Sequence, residues 1–89
     1  MKEFIIDLSD AQSFEDFVEA FNAGFCEHVS GHWHGRSWDA FNDYLSWPQE
    51  KEFQLTFTGW NTFRGLAETE RNIIGEIFSE NDHVKVVYT

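Results

Sequence analysis

A two-layer α/β fold, with a small three-stranded parallel sheet and three to four helices, is the architecture this 89-residue sequence predicts. Three observations lead there. Three short β-prone runs, at residues 4–8, 53–57 and 84–87, are separated by stretches whose apolar residues recur at helical spacing. The order strand, helix, helix, strand, helix, strand places a helical connection between successive strands, as parallel pairing with right-handed crossovers requires. Finally, 42% apolar residues, with ten Phe and four Trp, can fill one modest core but not two. Residues 1–89 are therefore expected to form a single domain.

Each element has a local reason. Phe4-Ile5-Ile6-Asp7-Leu8 is β-prone and stops at Ser9-Asp10. Ser13 opens a helix, with Asp16 three residues on in a capping-box-like position. Phe14, Phe17, Val18, Phe21 and Phe25 make its apolar stripe, Gly24 weakens its last turn, and residues 28–35 read as a loop. Ser37 caps a second helix over residues 37–46, which Pro48 ends. Phe53, Leu55 and Phe57 alternate with Gln54, Thr56 and Thr58, the period of a strand. A third helical stretch runs from about Thr62 to Glu80, with a possible break near Gly65, burying Leu66, Ile73, Ile74, Ile77 and Phe78. Val84, Val86 and Val87 form the last strand.

Charge narrows the function. Six Lys and Arg against sixteen Asp and Glu give a formal net charge of −10. Such a chain repels phosphate backbones and anionic lipid surfaces, so no direct nucleic-acid binding and no membrane association are expected. A basic partner is the natural complement, the alternative being that the acidity serves only solubility. No stretch reaches the ~20 apolar residues of a membrane helix. Cys26 is the single cysteine, which precludes an intramolecular disulfide, and its apolar neighbours predict a buried or half-buried thiol. With no secretory pattern in MKEFIIDLSD, a cytoplasmic location is expected.

The second helix carries the clearest signal. At about 100° per residue, Trp38, Phe41 and Leu45 fall on one side, and Asp39 and Asp43 share the other. Spaced i, i+4, the two carboxylates are either ordinary solvated acids or a doubled negative site for a cation or a basic cleft. Two acids on one exposed face, with no cleft between them, do not make an acid–base pair, and no catalytic residue is assigned. His28, His32 and His34 form H-x3-H-x-H, which matches no zinc-ligand spacing and has no cysteine pair to complete it. No metal and no cofactor are expected, and a solvated, pH-sensitive loop is the simpler reading. Gly31 and Gly35 lack the Gly-Lys-Ser/Thr of a phosphate loop. Trp33 is either a core plug or, if exposed beside the acids, a binding anchor, while Trp38, Trp47 and Trp60 are expected in the core or at its rim. Glu76 and Glu80, also i, i+4, flank the apolar stripe of the last helix and are either solvated charges or a second acidic patch.

The segment His34-Gly35-Arg36-Ser37-Trp38-Asp39-Ala40-Phe41-Asn42-Asp43-Tyr44-Leu45 resembles the signature of the barstar family of ribonuclease inhibitors: an aromatic-rich loop, a Gly, then an apolar-Asp-Ala-apolar-x-Asp helix. The likeness extends over essentially the whole chain, through Trp47-Pro48 to the helix ending Ile77-Phe78-Ser79-Glu80 and the Val-rich final strand. It implies a three-stranded parallel sheet with helices packed on it and no enzymatic activity. It implies an inhibitor that occludes a basic microbial ribonuclease or ribonuclease toxin with its second helix and preceding loop, and that is a monomer when free. Asp39 and Asp43 match the family's two helix aspartates, with Asp43 the one that enters the phosphate site. Trp33 lies where the family has an aromatic that packs on the nuclease, and Glu80 matches an acid on the last helix. The expected partner-binding residues are Trp33, His34, Gly35, Asp39, Asn42, Asp43, Glu76 and Glu80. Arg36 departs from a usually neutral or acidic position, Asn42 replaces an aromatic, the turn at 81–83 is short, and the histidines of the loop are unusual. The alternative is a barstar-like scaffold serving as an immunity or acidic interaction module with a target other than a ribonuclease.

Overall fold

A computed structural model describes all 89 residues. Strands β1 (Lys2–Asp7), β2 (Phe53–Thr58) and β3 (Val84–Tyr88) form one sheet in the order β1-β2-β3, parallel throughout. Helix α1 (Phe14–Gly24) and a 3₁₀ turn (Cys26–Val29) follow β1. Helix α2 (Trp38–Tyr44) precedes β2, and α3 (Glu68–Ser79) connects β2 to β3. The expected α/β class and parallel three-stranded sheet are both present.

Strand register explains the core. Phe4 pairs with Leu55 and Ile6 with Phe57, while Phe53 and Leu55 pair with Val84 and Val86. These side chains share one face, and all but the partly buried Val86 are buried. Phe17 and Phe21 of α1, Phe41 of α2, and Ile74 and Phe78 of α3 close over that face in one cluster. The opposite face stays open: Ile5 is 54% exposed. A parallel sheet normally has both faces covered. Here the open face is polar and internally bonded, since the Thr56 hydroxyl donates to Glu3 Oε2 at 2.6 Å and Gln54 Nε2 donates to the same oxygen at 3.0 Å.

Ser13 caps α1 by accepting the Asp16 N–H at 3.1 Å. The reciprocal bond reaches one residue further back than a capping box, from the Gln12 N–H to Asp16 Oδ2 at 2.8 Å. Gly24 is required by packing. A Cβ there would lie 2.3 Å from the Ile5 carbonyl oxygen, so α1 sits against the backbone of β1.

Two expectations are corrected. α3 begins at Glu68 rather than near Thr62. Residues 60–66 form a turn and then irregular backbone, where Gly65 packs against the Phe63 ring and the Ser13 backbone while Phe63 and Leu66 enter the core. Arg71 then donates to the Phe63 carbonyl, and the Glu70 carboxylate accepts the Ala67 N–H to start the helix. Trp47 is not at the core: it is 44% exposed, whereas Trp38 and Trp60 are partly buried.

Cys26 is fully buried, and desolvation pushes its thiol up from 9.0 to about 12. Because the folded value is the raised one, the thiol's contribution to stability is intact below pH 9 and is lost as pH rises towards 12. The native chain should therefore resist alkylation at pH 8, labelling only as fast as it unfolds. Mass spectrometry after iodoacetamide treatment, with and without urea, checks this; rapid labelling without urea would contradict it.

Candidate functional site

The surface around α2 is built from the inside. Ser37 caps the helix by accepting the Ala40 N–H, at 3.3 Å. Phe41 is buried with its ring stacked on Phe21 at 4.5 Å, and Leu45 is buried one turn on. That anchoring turns Asp39, Asn42 and Asp43 to solvent, and all three are exposed. Asp43 Oδ2 accepts the indole N–H of Trp47 at 3.3 Å, and the Trp47 ring packs edge-on against Tyr44.

The preceding loop is held by a buried polar clasp. Asn22, on the inner side of α1 and 3% exposed, donates to the Trp33 carbonyl and accepts the Trp33 N–H, both at 2.7 Å. Trp33 Nε1 donates to the Ser37 carbonyl at 2.9 Å, which ties the loop to the α2 cap. The Tyr44 hydroxyl donates to the His32 carbonyl at 2.7 Å. Gly35 has φ +78, and a Cβ there would lie 2.7 Å from Val18 Cγ2, so glycine is needed for both conformation and space.

Of the two readings of Trp33, the structure takes the core plug over the binding anchor. Trp33 is 1% exposed and contacts the Phe14, Phe17, Phe21, Trp38 and Phe41 rings. Its indole plugs the core and cannot stand on the surface as a binding anchor. All three histidines of the H-x3-H-x-H run are exposed: His32 and His34 have rings 4.9 Å apart, and His28 sits separately beside Phe4. No group of three or more His, Cys, Asp or Glu side chains is placed to hold a metal ion.

Between α2 and the C-terminal half of α3 runs an open groove of about 510 Å³. Trp38, Ile73 and Ile77 give it apolar walls, and Asp39, Asn42, Glu80 and Asn81 give it polar ones. Asn81 Nδ2 donates to Asn42 Oδ1 at 2.8 Å and to the Ile77 carbonyl at 2.6 Å, latching the end of α3 to α2. The structure thus brings Asp39, Asn42 and Glu80 together. Asp43 leaves the same helix beside Trp47. Glu76 is exposed one turn before Glu80 without lining the groove, and His34 and Gly35 lie in the loop on the other side of α2. The arrangement can offer negative charge to a cationic surface over an apolar floor.

Sequence reasoning missed Asn22, Asn81 and the exposed Trp47. Asn22 carried a signal, because its spacing from Val18 and Phe25 sets a polar residue within an apolar stripe. Asn81 and Trp47 carried none.

No helix is long and apolar enough to cross a membrane. No match to the chain is found among individually curated proteins. The model of one family does match, over residues 1–85 of the 89. With the parallel sheet, the capped acidic α2 and the acidic groove beside it already in place, that match settles the lineage: the chain belongs to the family described as Barstar (barnase inhibitor).

Proposed function

We propose that this chain is a non-catalytic inhibitor of a basic ribonuclease, which it blocks by laying α2 and the end of α3 across the active site. The observation that carries the reading is the shared groove, where Asp39 of α2 and Glu80 after α3 line one apolar-walled depression and Asp43 projects from the same short helix. Carboxylates so grouped can take the place of RNA phosphates against the Arg, Lys and His of a nuclease cleft. Asn42 acts mainly by holding Asn81, and Glu76 adds charge at the margin. The free chain is a monomer, since −10 opposes self-association.

Inhibition of RNA cleavage by barnase, as the test nuclease, decides the matter. The parent chain should inhibit stoichiometrically. Asp43→Ala should weaken binding by ~2 kcal/mol or more, and Asp39→Ala should act in the same direction. Glu3→Gln, on the open face of the sheet, should change affinity little. The association rate should fall steeply as salt shortens the Debye length to ~8 Å at physiological strength, with the dissociation rate changing less. Undiminished binding by Asp43→Ala would overturn the assignment of α2, and a salt-independent association rate would leave the acidity to solubility alone.

A further inference from the structure

The acidic face has a cationic border. Resting on the reading of α2 as the partner-facing helix, we infer that loop 32–36 receives a carboxylate presented by the protein partner, so that the binding face is bipolar rather than uniformly acidic. The loop alternates: Trp33 is buried and Gly35 is packed against Val18, which leaves His32, His34 and Arg36 exposed. The fold consumes the chain's other guanidinium groups. Arg64 donates to the Asn61 and Phe63 carbonyls, and Arg71 donates to the Phe63 carbonyl while lying 4.4 Å over the Trp60 ring. Of the four imidazoles, His83 is held by the Leu45 carbonyl, and His28, though exposed, lies away from this loop beside Phe4. Arg36, His32 and His34 are left together on one short loop.

The loop is preorganised by the Asn22 clasp and the Tyr44 hydroxyl, so little ordering entropy opposes a contact there. Two shallow depressions flank it. The one towards α1 includes Glu15 and Glu19, which already oppose His34 and Arg36. The one towards α2 is lined by His32, His34, Arg36, Ser37, Ala40 and Tyr44 together with Trp33, and no carboxylate. An incoming acid fits the second, where a guanidinium can meet it with two parallel hydrogen bonds. RNA is the poorer occupant. Its backbone would run on past Asp39 and Asp43 against a net charge of −10, whereas one carboxylate on a folded partner need not.

Nuclear magnetic resonance of the full ¹⁵N-labelled chain at low ionic strength tests this with three probes. Hexaglutamate should shift His32, His34 and Arg36, and the shifts should disappear in Arg36→Glu and shrink in Arg36→Gln. Hexalysine should shift Asp39, Asp43 and Glu80 in parent and variants alike. If hexaglutamate leaves the loop unmoved while hexalysine maps to α2 and α3, this inference fails and the acidic face stands. If hexalysine fails while hexaglutamate maps to the loop, the reverse holds. A hexauridylate that shifts the loop more than hexaglutamate does would overturn the choice of a protein carboxylate over RNA.

Discussion

Trp33→Ala is expected to destabilise the chain by about 3–5 kcal/mol, the range for deleting a large buried aromatic. The indole touches five aromatic rings, three from α1 and two from α2, so its loss leaves a cavity that no single side chain can collapse into. It also removes the N–H that bonds the Ser37 carbonyl and ties the loop to the α2 cap. A domain of this length has total stability of roughly 5–13 kcal/mol, so the variant should lose a large fraction of it and unfold at a clearly lower urea concentration. Trp33→Phe should cost less, because a ring remains and only part of the volume and one donor are lost. Urea unfolding followed by circular dichroism measures both. A loss below about 1 kcal/mol for Trp33→Ala would mean that the ring is a surface feature after all.

Asn22→Ala should cost about 3 kcal/mol. The substitution takes away two short hydrogen bonds and strands the buried Trp33 N–H and carbonyl. Asn22→Leu should not rescue it, although leucine suits the apolar stripe, because the unsatisfied backbone groups remain. Asn22→Asp keeps an acceptor for the N–H but sets a buried carboxylate against the Trp33 carbonyl, and should be at least as damaging. Because Asn22 and Trp33 are one unit, the Asn22→Ala/Trp33→Ala double variant should lose less than the sum of the singles. Unfolding free energies for the four proteins give the coupling. Additivity would show that the clasp and the ring act independently.

Local pattern carried most of the architecture. Alternation at Phe53, Leu55 and Phe57 marks β2 because a strand exposes every second side chain to one face, and the Phe17–Phe21–Phe25 spacing marks α1 for the corresponding helical reason. Ser13 and Ser37 announced both helix starts, since a hydroxyl that accepts an N–H two or three residues on acts entirely within its own turn. The outward placement of Asp39 and Asp43 followed from the same periodicity once Phe41 and Leu45 were taken as buried.

Where the reading failed or left two answers open, the deciding contact lay far along the chain. Phe63 and Leu66 have the composition of a helix start, yet Gly65 rests on the backbone of Ser13, and that contact holds residues 60–66 in a turn and irregular backbone. Trp33 sits among exposed polar residues, and nothing in its neighbourhood says that Asn22, eleven positions earlier, pairs with its backbone and draws it inside. The latch between Asn42 and Asn81 spans 39 positions and brings Glu80 to the groove that Asp39 lines. Sequence by itself determined the elements, their order and the face each helix buries, because those depend on spacing along one backbone. Only the tertiary structure decided which loop aromatic is core and which acids share a surface, because those depend on packing and hydrogen bonds between segments that the chain order keeps apart.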